Sequence, residues 1–346
     1  MRVALGSAHA GGLYDPVGDG NQFTNGCNAI WDLGLRNIKI YATAAYATDY
    51  PDQVAWSGTP TTLTEFASLA EVDYQLGRGW DSVTLTSFPF STCPSVVTNW
   101  WRTGADNARL ALEFAEMEEF GEHILTAHSG TGTAFYVQCW EQDWALPDSF
   151  SVPTAVSEKN LRDFIAFNRT RQSAIESARR NTAHAGVSLR NILEVNRVLD
   201  WRTSPGRRRI VNSALREIAP DEISWSSYDG ITPSDDPWKA DYTHWKAWLE
   251  QYFVEGIKIL SDWGGKPIVI GEAGIPENES PYSVTDMVTD IVDLCEAHAE
   301  VKRLMYWQVY DNESSADPEG VRGYYLIKPN GDTSEAGAVL AGLVAP

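Results

Sequence analysis

A chain of 346 residues can form one large barrel or two ordinary domains, and its 43% hydrophobic and 21% charged content is that of a folded globular protein rather than a disordered one. Twenty-seven basic against 47 acidic residues leave a formal net charge of −20, which argues against nucleic acid or an anionic membrane surface as a partner. No run of about 18 apolar residues can span a bilayer, and the first residues lack the apolar core of a secretory signal, so a soluble chain is expected.

A short first strand over 2–6 is followed by a Gly-rich loop and a helix carrying Ala29, Ile30, Trp31 and Leu33, which stops at Gly34. Residues 37–42 read as strand two, 64–76 as a helix and 81–88 as strand three. The spacing of Leu110, Phe114, Met117, Gly121 and Ile124 predicts a helix over 107–125, ahead of strand four at 134–141. Ser157 reads as the N-cap of a helix running to Ala178, and strand five follows at 191–198. A helix over 210–218 leads to strand six at 222–230. The cleanest period in the chain, Trp245, Trp248, Leu249, Tyr252, Phe253, Gly256, Ile257 and Leu260, leads to strand seven, Ile268-Val-Ile-Gly-Glu272. Ser283 opens a capped helix through Leu294, residues 303–312 read as strand eight and 336–344 as a last helix. Eight strands each followed by a helix, with no linker or low-complexity tract, are the count and order of a single (β/α)8 TIM barrel over 1–346.

In such a barrel the chemistry lies at the C-terminal ends of the strands. Alternation of side chains puts Ile268, Ile270 and Glu272 on one face of strand seven, and Phe135, Val137, Cys139 and Glu141 on one face of strand four. With those faces inward, the two carboxylates oppose each other over the mouth, the equipment for cleaving a glycosidic bond at an expected separation of roughly 5 to 5.5 Å. Trp140 and Trp144 supply apolar surroundings that would hold a proton on Glu141. The 14 Trp and 14 Tyr suit stacking against sugar rings as well as core packing.

Ile-Gly-Glu272-Ala-Gly on strand seven, Gln138-Cys-Trp-Glu141 on strand four, Ser227-Tyr228 on strand six and Tyr306-Trp307 on strand eight resemble the retaining glycoside hydrolases of clan A. More narrowly, the blocks 137–146, 194–198, 271–279 and 306–313 look like those of a little-characterised, cellulase-like actinobacterial and phage-borne group. The resemblance implies Glu272 as nucleophile, Glu141 as acid/base, Tyr228 as a hydrogen-bond donor to the nucleophile and Trp307 as the floor of the sugar site. Lys39, Tyr41, Trp140, Trp144, Glu194, Asn196 and Gln308 complete the candidate substrate-binding set. One position departs from the clan, which usually has Asn where this chain has Trp140. That makes Glu194, with Asn196 on the same side, the alternative acid/base, although an ion pair with Lys39 or Arg197 is the preferred reading of Glu194.

His9 is the histidine nearest the strand ends and the expected site member among the six. Asp311 and Glu313 are expected to order the last loop, and Trp201 and Trp238 are core or sugar platforms. No metal-ligand spacing is present among His, Cys, Asp and Glu, so no metal and no cofactor is expected; the four cysteines carry no Cys-x-x-Cys. The implied partner is a neutral carbohydrate, reached outside the cell by a route the sequence leaves open. Oligomeric state also stays open. Two other readings stand beside hydrolysis: a barrel that binds carbohydrate without cleaving it, and a lyase or aldolase using Lys39 as a Schiff-base former.

Overall fold

The computed structural model of the chain describes residues 2–94, 99–147, 155–200, 207–232, 241–316 and 319–345. Trp201 and Trp238 lie outside them. Eight strands, β1 (Ala4–His9), β2 (Asn37–Ala42), β3 (Ser82–Ser87), β4 (Ala134–Gln138), β5 (Ser188–Val195), β6 (Glu222–Ser226), β7 (Ile268–Ala273) and β8 (Val301–Tyr306), pair in parallel and close into a barrel, β8 on β1. Helices fill the crossovers, as the alternation of periods predicts.

Local chemistry sets the element ends. Ser157 and Ser283 cap their helices as expected, accepting from the backbone N–H of Asn160 and Asp286. The helix expected over 64–76 is two, Leu63–Ala67 and Ala70–Leu76, because Ser57 Oγ accepts from Ala70 N and starts a second helix beside the first. Strand six ends at Ser226, and Tyr228–Ile231 turns helical; strand eight ends at Tyr306, six residues earlier than expected. The strongly periodic stretch is one continuous helical run in which Leu249–Phe253 forms a π turn between Tyr242–Trp248 and Val254–Gly264. Gly256 is required there. A Cβ on it would lie 2.2 Å from the Trp225 ring, which is stacked on Phe253 with centroids 5.2 Å apart.

The strand register determines which side chains enter the barrel. Trp225 and Ile223 pack outward against the helices, so Ser224 and Ser226 face in, and with them the paired Val269 and Glu272. On β4, Phe135 stacks on His128 at the helix layer, while Tyr136 and Gln138 face in. The interior is polar for a barrel core. At its lower end Glu222 pairs with Arg190 and, at 2.6 Å, with Arg303, whose guanidinium lies 3.7 Å from the Tyr136 ring centre.

Candidate active site

The inward parity corrects the alternation argument. Ile268 and Ile270, like Phe135, Val137 and Cys139, belong to the apolar layer between strands and helices, so simple alternation would carry both carboxylates away from the mouth. Two local departures bring them back. On β7 the register shifts between the Ile270 and Glu272 pairings with β6, a bulge that leaves Gly271 and then Glu272 facing in. Gly271 has no room for a side chain: its Cβ would sit 1.9 Å from Ser224 Oγ and 2.9 Å from Glu194 Oε2. On β4 the strand stops at Gln138, and Glu141 adopts the left-handed conformation at φ 32°, ψ 60°, which turns its carboxyl into the mouth. A non-glycine residue held there costs on the order of 1 kcal/mol or more, so its surroundings must enforce it.

Glu141 and Glu272 share one hydroxyl. Ser226 Oγ lies 2.5 Å from Glu141 Oε1 and 3.1 Å from Glu272 Oε2. Those two contacts end to end are the furthest apart the two oxygens can be. A hydroxyl has a single proton, so Ser226 can donate to one carboxylate only and accepts from the other when that one is protonated. Burial is the largest influence raising both pKa values; the Glu272 charge raises Glu141 further, and the Glu194 charge raises Glu272. Glu141 is pushed up to about 8. Glu272 rises less because the Lys39 ammonium, 2.7 Å from its Oε1, stabilises its anion. Glu141 is raised further than Glu272, so it keeps its proton to higher pH, and once Glu272 has ionised the Ser226 hydroxyl can donate to it.

Lys39 is fully buried. Burial opposes its charge, yet Glu194 and Glu272 outweigh that and raise its pKa, so the amine is held as ammonium by two carboxylates at 2.9 and 2.7 Å. Glu194 forms the expected ion pair with Lys39. It also accepts from Gln138 Nε2, Ser224 Oγ and the backbone N–H of Glu141. Asn196 is committed to Asp143, accepting from its backbone N–H through Oδ1 and donating its own backbone N–H to the carboxylate, while Asp143 also accepts from Arg197 N and Ile210 N, tying the ends of β4 and β5 together.

The other expected members divide. Trp307, Tyr41 and Tyr228 gather with Tyr324 in a small aromatic group around Ala8, and the Lys39 ammonium lies 6.0 Å from the Trp307 ring centre, which puts that ring beside Glu272; the Trp307–Gln308 peptide is cis. The phenol pKa values of Tyr41 and Tyr228 are raised by burial first and by the charge of Glu272 next. Tyr228 was expected to hydrogen-bond the nucleophile; the bonds to the Glu272 carboxylate come instead from Lys39 and Ser226. Trp144 does more than exclude water, since its indole N–H donates to Glu141 Oε2 at 3.0 Å. Trp140, 37% exposed, stands on the surface beside Glu141. Gln308 accepts from Ala10 N and secures the loop after β1. His9 is displaced from the site altogether. It points into the helix layer among Phe23, Tyr50 and Tyr310, where burial lowers its pKa to about 4. Asp311 orders the last loop by accepting from Glu313 N, Gly323 N and Tyr324 N.

Ser226, between the two carboxylates, has no role in the sequence analysis above. Its signal was the inward series Glu222, Ser224, Ser226 on one strand. Tyr324, from the loop beyond β8, carried no signal.

No family model matches this chain, and no curated protein matches it. Among solved structures it is similar to a glutamate-to-alanine variant of GH5_18 from Bifidobacterium longum subsp. longum in complex with Manβ1-4GlcNAc, at TM-score 0.64 and 16% identity over 99% of this chain and 78% of that one. It is also similar to GH5_18 from Streptomyces cattleya in complex with GlcNAc, at TM-score 0.66 and 14% identity over 99% and 80%. A β-glucuronidase from Ruminococcus gnavus, in complex with D-glucaro-d-lactam, aligns at TM-score 0.52 and 8% identity over 99% of this chain and 50% of that one. At these identities the likeness shows a shared barrel fold.

Proposed function

We propose that the chain is a retaining glycoside hydrolase acting on a neutral oligo- or polysaccharide, with Glu272 as nucleophile and Glu141 as acid/base. The observation that carries this reading is the single Ser226 hydroxyl in contact with both carboxylates, which keeps one oxygen of each within reach of a single anomeric centre, as the roughly 5 to 5.5 Å separation of double displacement requires. Lys39 holds Glu272 ionised through Oε1, leaving Oε2 to attack the anomeric carbon as the glycosidic C–O bond breaks and Glu141 gives its proton to the departing oxygen. Glu141, now a carboxylate, then takes a proton from water, whose oxygen displaces Glu272 and restores both groups.

The Schiff-base alternative fares worse. Imine formation needs a neutral amine with a lowered pKa, and Lys39 is held charged between two carboxylates. A neutral substrate fits the three acidic side chains gathered at the mouth around that one ammonium, which would repel an anionic sugar.

Aryl glycosides, polysaccharides and Manβ1-4GlcNAc, the disaccharide bound by a structural neighbour, form the assay panel. Turnover abolished in Glu272→Gln, with the product first appearing in the substrate's own anomeric configuration by proton NMR, is the expected result. First appearance of the opposite anomer refutes double displacement, and binding without turnover across the panel supports a carbohydrate-binding barrel instead.

A further inference from the structure

Glu194 is fully buried and makes four hydrogen bonds, none to solvent, and they divide by oxygen. Oε1 accepts the backbone N–H of Glu141 at 2.9 Å. Oε2 accepts from Lys39 Nζ at 2.9 Å, Gln138 Nε2 at 2.8 Å and Ser224 Oγ at 3.1 Å. The first bond holds the residue whose left-handed backbone carries the acid. The second set holds the ammonium that is bonded to the nucleophile.

We infer that Glu194 is a positioning residue for both halves of the reaction: one oxygen pins the turn that aims Glu141, and the other anchors the cation that keeps Glu272 ionised. This rests on the glycosidase reading above and adds to it a residue that touches neither the sugar nor the proton in flight. Glu194 cannot serve as the acid/base itself, because all of its contacts are inward and both of its oxygens are already committed to donors. The tight seat of Gly271, whose added Cβ would meet Glu194 Oε2 at 2.9 Å, shows that the carboxylate also sets how closely the β7 bulge can approach.

The device predicts a coupled response. Replacing Glu194 by Gln keeps the shape but supplies an N–H where Lys39, Gln138 and Ser224 all donate, or where the Glu141 amide does, so one side of the arrangement must open. Displacement of a catalytic group by about 1 Å costs on the order of 10²-fold in rate. Removal of the Glu194 charge, which helps raise the pKa of both Glu141 and Glu272, also moves the basic limb of the pH–rate profile to lower pH.

The test is Glu194→Gln against wild type and Glu141→Ala, with aryl glycosides of graded leaving-group pKa. Expected is a kcat loss of about 10²-fold for poor leaving groups, which need the misaimed Glu141, and a smaller but clear loss for the most activated ones, which feel only the disturbed Lys39–Glu272 pair, with a basic limb shifted to lower pH. Glu141→Ala is expected to spare the most activated leaving group. Complete rescue of Glu194→Gln by the most activated substrate, as in Glu141→Ala, would mean that the nucleophile side is undisturbed and overturns the inference, as would an unmoved basic limb. The Lys39→Met/Glu194→Gln double variant removes both charges and guards against misfolding; losses that simply multiply in the double variant overturn the coupling of the two residues. If the wild type turns over no substrate, the glycosidase reading fails by itself. The Glu141 carboxyl titration, followed by 13C NMR in wild type and Glu194→Gln, then decides the positioning question without turnover: an acid shift supports it and an unchanged midpoint rejects it.

Discussion

Lys39 Nζ lies 2.7 Å from Glu272 Oε1 with both side chains closed to solvent, so the state of the proposed nucleophile depends on a cation it cannot exchange with water. A buried charge is tolerable only when paired, and truncating one partner leaves the others uncompensated at a cost of about 3 to 5 kcal/mol. Lys39→Met is therefore expected to lower the unfolding free energy read from a urea titration by an amount of that order and to lower turnover severely. Lys39→Arg, which keeps the charge but is too large for the seat, should retain more stability than activity.

Activity should decline on the alkaline side as Glu141 loses its proton near pH 8, the value to which burial and the neighbouring Glu272 charge raise it. Initial rates on an activated and an unactivated glycoside across pH 5 to 9 check this. The unactivated substrate, which needs the proton more, should show the steeper basic limb.

The same shift has a stability consequence of definite sign. Between the ordinary carboxylate value of 4.5 and the raised value near 8, the folded chain keeps a proton that the unfolded chain has released, so stability falls as pH rises through that window. Glu141→Gln, which cannot ionise, should unfold at a higher temperature than wild type at pH 8 and show little difference at pH 4. Thermal melts at the two pH values decide it, and a gain of equal size at both would mean that ionisation is not the cause.

Ser226→Ala removes the hydroxyl shared by the two acids but leaves Lys39 and Trp144 on their respective partners. The expected effect is a kcat lower by about 10-fold, the worth of one hydrogen bond of about 1.4 kcal/mol in the site, with KM little changed. Gly271→Ala should be far more damaging. Its methyl would enter the space of Ser224 Oγ and Glu194, forcing the β7 bulge to shift, and overpacking of that kind costs about 1 to 3 kcal/mol in stability as well as the alignment of Glu272.

Much of the barrel was legible because strands and helices differ in period, and Ser157 and Ser283 announce their helices by the same capping chemistry wherever it occurs. Both carboxylates were found at strand ends, but the argument for their orientation was unsound. Alternation holds inside a strand, and Glu272 lies past a bulge while Glu141 lies past the strand itself in a left-handed turn. Neither departure has a local sequence mark that outweighs the strand pattern, since the Gly271 that permits the bulge reads equally well as a turn residue. The misplacement of His9 has the same root. The strand was expected over 2–6 but runs on to His9, and its inward parity is determined only by pairing with neighbouring strands. Glu194 was readable as the partner of Lys39, whereas its bond to a backbone amide 53 residues away leaves no trace in residue type.

The unusual backbone at Glu141 bears on how the chain could be repurposed. Glycine is at ease in the left-handed region where glutamate is held under constraint. Glu141→Gly thus deletes the proton donor while relieving the turn that carried it, and leaves a small vacancy facing Glu272. Given a sugar with a self-departing aryl group and a thiol that needs no deprotonation by the protein, such a variant would be suited to joining sugars through sulfur rather than cutting them apart.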